Sequence, residues 1–173
     1  GYGADERTCA ALRATGFAQD SSFFYQAKEC RLDYPFINKV TCLDSLWEFP
    51  VTVYRERRTV FGQERKPQYK KLDFRYGSDA RTIIDVVRKM PNHSIIVLFL
   101  HSFNFLTGYY RKKEKKFTEI GINRRLIEEY RMLLSGLQKV ENLVFTDFSR
   151  AAVCADLPEA VKEVVREISI CQA

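Results

Sequence analysis

The sequence predicts one α/β domain covering residues 1–173, because helix and strand patterns alternate along a chain of single-domain length. The chain has 173 residues, a length that favours a single domain. Its helix patterns are amphipathic, and the run Ile95–Leu100 is continuously apolar, as in a parallel strand covered by helices on both faces. The predicted order is helix, strand, strand, helix, strand, helix, strand, helix, which is typical of an α/β fold with mostly parallel strands.

Each predicted helix begins at a residue type that caps helices. Asp5 precedes a helix that ends near Thr15, where Gly16 suits the stop. The other three predicted helices carry an apolar stripe on one face. They begin at Ser78 or Asp79, at Asn123 and at Asp156, and the first two of them end near Met90 and Val140. The inward positions of the last helix are Val161, Val164, Val165 and Ile168.

Four segments are predicted as strands, and one more short strand is left open. The four are Phe17–Ser22, Leu46–Tyr54, Ser94–Leu100 and Leu143–Phe148, and the open one is Tyr69–Arg75. Pro50 cannot donate a hydrogen bond to a neighbouring strand, so the second strand is expected to lie at a sheet edge or to be interrupted there. The basic and polar residues 55–68 are expected to form a loop or an extension, and a long polar loop follows at 102–121.

The charge, the length of the apolar runs and the cysteines limit the kinds of partner that the chain is expected to bind. The net charge is +6, but no predicted helix concentrates Lys and Arg beside base-reading residues, so nucleic-acid binding is not expected. The densest basic run, Arg111–Lys116, is interpreted either as a solvated loop or as a site for an acidic polymer. No apolar run reaches the roughly 18–20 residues that cross a bilayer. Five cysteines without a Cys-x-x-Cys pair indicate neither a disulfide framework nor a zinc ribbon.

His101 is the first candidate for catalysis, because it directly follows the apolar run Ser94–Leu100. Functional residues of parallel α/β folds gather at the carboxyl ends of the strands. Imidazole gains and loses a proton near neutral pH, which suits general acid or base catalysis. The alternative is a structural histidine that bonds a backbone carbonyl at the end of the strand.

Two carboxylates are candidates to orient that histidine. Asp20 ends the Phe17–Ser22 segment, and Glu48 lies within the Leu46–Tyr54 segment. A carboxylate beside a histidine fixes its tautomer and stabilises the imidazolium. The structural alternatives are an Asx turn at Asp20 and an outward-facing strand position for Glu48. Trp47 is interpreted either as a core residue or as a platform for a sugar ring.

Four stretches, in this order, resemble the polysaccharide deacetylases of carbohydrate esterase family 4, and most closely those from bacterial exopolysaccharide gene clusters. They are Gly1-Tyr2-Gly3-Ala4-Asp5, Gly16-Phe17-Ala18-Gln19-Asp20-Ser21-Ser22-Phe23, Trp47-Glu48-Phe49-Pro50-Val51-Thr52 and Leu100-His101-Ser102-Phe103-Asn104-Phe105. Together they extend over most of the chain. The resemblance covers only the second half of the family's domain.

The resemblance implies a fold, an activity and roles for particular residues. The fold would be the C-terminal part of a distorted (β/α) barrel, and the activity would be metal-dependent removal of acetyl groups from N-acetylated polymeric sugars. His101 matches the general acid that protonates the leaving amine. Tyr2 matches the residue whose backbone N–H stabilises the oxyanion. Asp20 or Glu48 would tune His101, with Asp20 preferred.

The departures from the family pattern lead to further expectations. The chain has no Asp-Asp pair and no His-x-x-x-His, so the divalent metal of the complete domain, expected to be zinc, would have ligands upstream. This chain alone is expected to bind no metal and to be inactive. Its compartment would be the bacterial cytoplasm or the periplasm and envelope.

The alternative function is a non-catalytic carbohydrate-binding module with a deacetylase-like fold. Its binding surface would combine aromatic side chains with the basic run 111–116 and would take an acidic polysaccharide. The aromatic candidates are Trp47, Phe103, Phe105, Tyr109 and Tyr110. Trp47, Phe103 and Phe105 are also the candidate substrate contacts of the enzyme.

Overall fold

The computed structural model describes residues 4–26, 30–32, 37–74, 78–108, 110–111, 113–118, 120–154 and 165–170. Four α-helices lie in this part of the chain: α1 (Glu6–Ala14), α2 (Ala80–Lys89), α3 (Arg124–Leu137) and α4 (Phe148–Cys154). A short 3-10 turn spans Ser102–Phe105. None of the described helices is long and apolar enough to cross a membrane.

The strands are short, with one exception. In chain order they are β1 (Gln19–Asp20), β2 (Thr41–Leu43), β3 (Leu46–Glu48), β4 (Val53–Val60), β5 (Gln63–Glu64), β6 (Gln68–Lys71), β7 (Leu106–Thr107), β8 (Tyr110–Arg111), β9 (Lys116–Phe117), β10 (Gly121–Ile122) and β11 (Val165–Ile170). They form a three-stranded sheet β1-β3-β2, a four-stranded sheet in which β4 contacts β11, β5 and β6, and the two-stranded pairs β7-β10 and β8-β9.

The expected barrel of mostly parallel strands is wrong. Five of the seven strand pairings in the described residues are antiparallel, and only β1-β3 and β4-β11 run parallel. The described sheets are separate and do not close into a barrel. The molecule is a small mixed α/β fold whose strands pair mainly with near neighbours in sequence.

Two tight turns cause much of the antiparallel pairing. The turn between β2 and β3 is Asp44-Ser45, and the turn between β4 and β5 is Phe61-Gly62. All four residues have positive φ, from 49° at Asp44 to 76° at Gly62. Two consecutive positive φ angles are the requirement of a two-residue turn whose twist matches its strands. The hairpin of β4 and β5 occupies residues 53–64, so most of 55–68 is an extension of the preceding strand and its return, and not a loop.

Three predicted helix starts are confirmed by their caps. The side chain of Asp5 accepts a hydrogen bond from the Thr8 N–H at 2.8 Å, and a reciprocal bond from the Asp5 N–H to the Thr8 hydroxyl completes a capping box. The side chain of Asp79 accepts from the Thr82 N–H and that of Asn123 from the Leu126 N–H, which caps α2 and α3. Such caps act within one helical turn, which makes them readable from sequence.

Three predicted elements in the second half of the chain differ. Ser94–Leu100 is extended but half-buried, with one bridge between Phe99 and Asp73 instead of a continuous strand buried on both faces. Leu143–Phe148 forms no strand, and Val144 is 78% exposed. Residues 165–170 form β11, so Val165 and Ile168 do not lie on a helix. The predicted start of that helix at Asp156 lies outside the described residues.

The core lies mainly between α2, α3 and the segments beside Thr52. Tyr54, Phe74, Ile83 and Leu133 are almost completely buried in its larger cluster. The helices α2 and α3 approach closely because position 136 is glycine. A Cβ there would lie 2.2 Å from the Ile84 Cδ1 atom. Pro50 interrupts the predicted strand 46–54 between β3 and β4, as expected.

Thr52 joins three chain segments at the centre of this core. Its N–H donates to the Val97 carbonyl, its carbonyl accepts from the Leu72 N–H, and its hydroxyl accepts from the Val97 N–H at 2.8 Å. Thr52→Val is expected to lower the free energy of unfolding by about 1–3 kcal/mol, because the Val97 N–H loses its acceptor. Urea denaturation measures the change. Thr52→Ser keeps the hydroxyl and should retain more of the stability than Thr52→Val; equal losses would contradict the role of this bond.

Candidate functional site

His101 lies between two aromatic rings at the end of the extended segment 94–100. The Phe99 ring meets the imidazole edge-on at a centroid distance of 4.6 Å. The Phe103 ring stacks on it at 4.4 Å with an interplanar angle of 22°. His101 is half-buried, while Phe103 is 56% exposed. One side of the site therefore opens to solvent through Phe103.

The imidazole of His101 makes no hydrogen bond or ion pair with any described residue. The Asn104 N–H donates to the backbone carbonyl of His101 at 3.0 Å, which fixes the backbone of the 102–105 turn. The structural alternative, an imidazole bonded to a backbone carbonyl, is therefore not found in the described part of the chain. Ring contacts orient this histidine and leave its nitrogens available to a ligand.

An ion pair beside Phe99, the ring that meets His101 edge-on, was not anticipated from the sequence. Asp73 forms the bridge to Phe99, and its carboxylate is completely buried. The Lys71 ammonium lies 2.8 Å from the Asp73 Oδ2 atom and 5.2 Å from the Phe99 ring centroid. Lys71 and Asp73 share one face because they are two residues apart in an extended segment. The two-residue spacing of Lys71 and Asp73 was the signal in the sequence for this ion pair. The sequence did not show that the pair would lie beside Phe99.

Asp20 and Glu48 lie directly opposite each other on the parallel strands β1 and β3. Glu48 is completely buried, and its Oε1 atom accepts a hydrogen bond from the Phe23 N–H at 3.0 Å. The Oδ1 atom of Asp20 accepts from the Ser22 hydroxyl at 2.9 Å. The second oxygens, Oδ2 of Asp20 and Oε2 of Glu48, are buried without a hydrogen-bond partner.

The surroundings of Glu48 raise its pKa. Burial disfavours the charged carboxylate and raises the pKa from 4.5 to about 7. The Phe23 N–H opposes this rise by bonding the carboxylate, and the neighbouring Asp20 adds to it through charge repulsion. Because Glu48 is fully buried, its outward-facing alternative is wrong.

The carboxylate pair is not in contact with His101. Neither Asp20 nor Glu48 lies within ion-pair distance of the imidazole in the described part of the chain, and the ring contacts of His101 are with Phe99 and Phe103. The structure thus brings together two of the predicted catalytic residues and places His101 apart from them. Tyr2 lies outside the described residues.

A thiol and a hydroxyl also face the carboxylate pair. Cys9 of α1 is buried, and the pKa of its thiol is raised by burial and then by the charges of Glu48 and Asp20. Thr41 of β2 lies opposite Glu48, and its hydroxyl is buried without a hydrogen-bond partner. Among the described residues, no three His, Cys, Asp or Glu side chains are close enough together to hold a metal ion. These residues therefore do not fit a divalent metal.

The three candidate sugar contacts have different surroundings. Trp47 is half-buried and packs against the smaller core cluster that contains Phe49. Phe105 contacts the Tyr130 ring of α3 at a centroid distance of 5.4 Å and belongs to the margin of the larger core. Phe103 is exposed beside His101. Of the three, Phe103 is the side chain best placed to meet a ligand.

Arg111 and Lys116, the two ends of the basic run, lie opposite each other on β8 and β9, and Lys112 lies outside the described residues. The exposed Glu114 carboxylate pairs with Arg111 at 2.9 Å and with Lys116 at 3.1 Å. Lys113 and Lys115 are exposed. The side chains of Tyr109 and Tyr110 lie outside the described residues. Among the aromatic candidates for the binding surface, Phe103 is the exposed one that the structure describes.

An apolar cavity of about 560 Å³ lies elsewhere, between α2, α3 and the segment 94–98. Its lining includes Ile83, Leu98, Tyr130 and Phe145, and it contains none of the predicted catalytic residues.

No known protein family, curated protein or solved structure matches this chain.

Proposed function

We propose that this chain supplies the general acid of a hydrolase that removes acetyl groups from a polysaccharide. The observation that carries the proposal is the environment of His101, a half-buried imidazole stacked on the exposed Phe103 ring. The four ordered stretches that resemble polysaccharide deacetylases include this histidine. The resemblance supplies the reaction class, and the geometry supports a proton donor next to a surface for a sugar.

In the proposed reaction, protonated His101 donates a proton to the amine nitrogen of the sugar as the bond from that nitrogen to the acetyl carbon breaks. The amine leaves as a neutral group, and imidazole is left neutral until it takes a proton from solvent. The Phe99 ring limits rotation of the imidazole. The exposed Phe103 ring offers an apolar face against which a sugar ring can pack.

The proposal assigns this chain the proton-donating step alone. Polysaccharide deacetylases use a divalent metal, expected here to be zinc, to polarise the acetyl carbonyl and to activate water. Because the described residues do not form a metal site, the ligands would have to come from residues outside this part of the chain.

The proposal is tested with the whole protein that the gene encodes. Incubation with zinc and an N-acetylated amino-sugar polymer should release acetate and create free amines. The same polymer without acetyl groups is the control for background signals. Absence of acetate release from a panel of acetylated polymers, with zinc binding verified, would contradict the proposal.

A second candidate, a non-catalytic module for acidic polysaccharides, is favoured by the exposed Lys113 and Lys115 near the 102–105 turn in sequence. Binding through these charges should weaken as salt is raised, because salt screens exposed charges. Replacement of His101 by alanine should leave such binding intact. Equal affinity for neutral and acidic polymers of the same backbone would contradict it.

A further inference from the structure

The carboxylates of Asp20 and Glu48 present an unusual arrangement of hydrogen-bond acceptors. Their strands are parallel neighbours, and the two residues occupy the same register position. Adjacent residues at one register position project to the same face of a sheet. On this face, Oδ2 of Asp20 and Oε2 of Glu48 are both buried, and neither has a donor.

The donors around the pair are already assigned to other acceptors. The Ser22 hydroxyl bonds Asp20 Oδ1, the Ser21 hydroxyl bonds the Phe49 carbonyl, and the Phe23 N–H bonds Glu48 Oε1. The Ser22 N–H also acts on the Glu48 carboxylate and lowers its pKa, but less than the Phe23 N–H does. No described Lys, Arg or His forms an ion pair with either carboxylate. Two ionised carboxylates in this position would leave two buried acceptors facing each other, which costs free energy through both desolvation and repulsion.

A single proton removes this conflict. A protonated carboxyl group is a hydrogen-bond donor, so a proton on one partner lets it donate to the other. We infer that Asp20 and Glu48 share one proton in the folded protein at mildly acidic pH, and that this proton fastens the two-residue strand β1 to β3. The pair is then a pH-sensitive contact within the fold.

The other groups that face the pair do not replace this proton. From α1 comes the Cys9 thiol, whose charged form burial disfavours. The charge of Arg13 lowers the pKa of that thiol, and the charge of Asp5 raises it. Arg13 itself donates to the Leu43 carbonyl and lies 4.0 Å from Asp44. From β2 comes the neutral hydroxyl of Thr41. Burial raises the pKa of the Cys30 thiol, and the charges of Glu48 and Asp20 also raise it.

The sign of the pH effect follows from where the proton is held. With a folded-state pKa of about 7 against an ordinary value of 4.5, Glu48 keeps its proton in the folded state while the unfolded chain has lost it. Stability is therefore greatest below about pH 4.5 as far as this group is concerned. The contribution of Glu48 to stability falls as the pH rises to about 7 and is constant above that. The ratio of folded to unfolded protein is then lower than at pH 4.5 by a factor on the order of a hundred.

The first test measures the carboxyl directly in the full chain. With 13C-labelled glutamate, the Glu48 carboxyl signal should titrate near pH 7 in the wild type. In Asp20→Asn, the amide removes the repulsion, so the Glu48 midpoint should move towards its ordinary value. A wild-type Glu48 signal that titrates near pH 4.5 would overturn the inference, and this measurement needs no variant to fold.

The second test compares urea unfolding at several values between pH 4.5 and pH 7.5. Glu48→Gln retains a hydrogen-bond donor but cannot ionise, so the variant should lose the part of the wild-type decline caused by this pair. The exposed Glu141→Gln is the matched control and should keep the wild-type profile. Parallel profiles for Glu48→Gln and the wild type would overturn the inference. The proposed deacetylase activity enters neither test, so the two proposals fail independently.

Discussion

For the proposed deacetylase, alanine at position 101 is expected to slow acetate release by about a hundredfold or more, as general acid catalysis typically contributes that much. The loss should appear in kcat, because the proton is transferred in the chemical step and the Phe103 ring still offers its face to the sugar. Steady-state kinetics on an acetylated polymer measure both constants.

Two controls separate catalysis from packing. His93, the other histidine of the chain, is exposed and has no place in the proposed site, so His93→Ala should leave kcat unchanged. Phe103→Leu removes the aromatic ring beside the imidazole and should raise KM more than it lowers kcat. If His101→Ala kept wild-type kcat, the general acid assignment would be wrong even if the enzyme is a deacetylase.

Alanine at position 38 is expected to lower the free energy of unfolding by about 3–5 kcal/mol. The Asn38 side chain is buried and bonds both backbone groups of Val53, with its amide donating to the carbonyl and its oxygen accepting from the N–H, each at 2.7 Å. Both groups lose their partner in the variant. Asn38 also has a φ of 57°, which asparagine tolerates better than alanine.

Glycine at the same position divides this loss into its two causes. Asn38→Gly removes both hydrogen bonds but adopts positive φ without strain, so it should be more stable than Asn38→Ala. Both variants should remain clearly less stable than the wild type in chemical denaturation. A loss below about 0.5 kcal/mol for Asn38→Ala, the level of an ordinary surface substitution, would show that the Val53 contacts contribute little.

The helices were predictable because their signals are local. Asp5, Asp79 and Asn123 each cap a helix through a contact three residues away, and the structure shows all three contacts. The apolar stripes of α2 and α3 then determine which faces meet. Nothing distant in sequence was needed to place these elements.

The sheets were less predictable because pairing depends on turns and distant partners. Asp44-Ser45 and Phe61-Gly62 are not among the strongest hairpin dipeptides, yet each supplies two positive φ angles and reverses the chain. The apolar run Ser94–Leu100 was expected to be buried on both faces, but its burial depends on what packs over it. Strand β11 pairs with a segment more than a hundred residues earlier in the chain.

In the candidate site, too, local features were predictable and contacts between distant residues were not. The chemistry of His101, Asp20 and Glu48 could be suggested from residue type and position. Which of them meet could not, because contact between Asp20 and Glu48 depends on the register of β1 against β3. Asp73 lies beside Phe99, whose ring contacts His101, through a single bridge between distant segments.

The position of β11 has a consequence for self-association. This strand pairs along Arg55–Val60 of β4, while β5 and β6 pair with β4 as well. A chain that ended before Val165 would leave the backbone N–H and C=O groups on that side of β4 as an open edge, which can recruit a strand from another molecule. Such a shortened chain is expected to form oligomers or fibrils at concentrations at which the full chain does not, as light scattering would show.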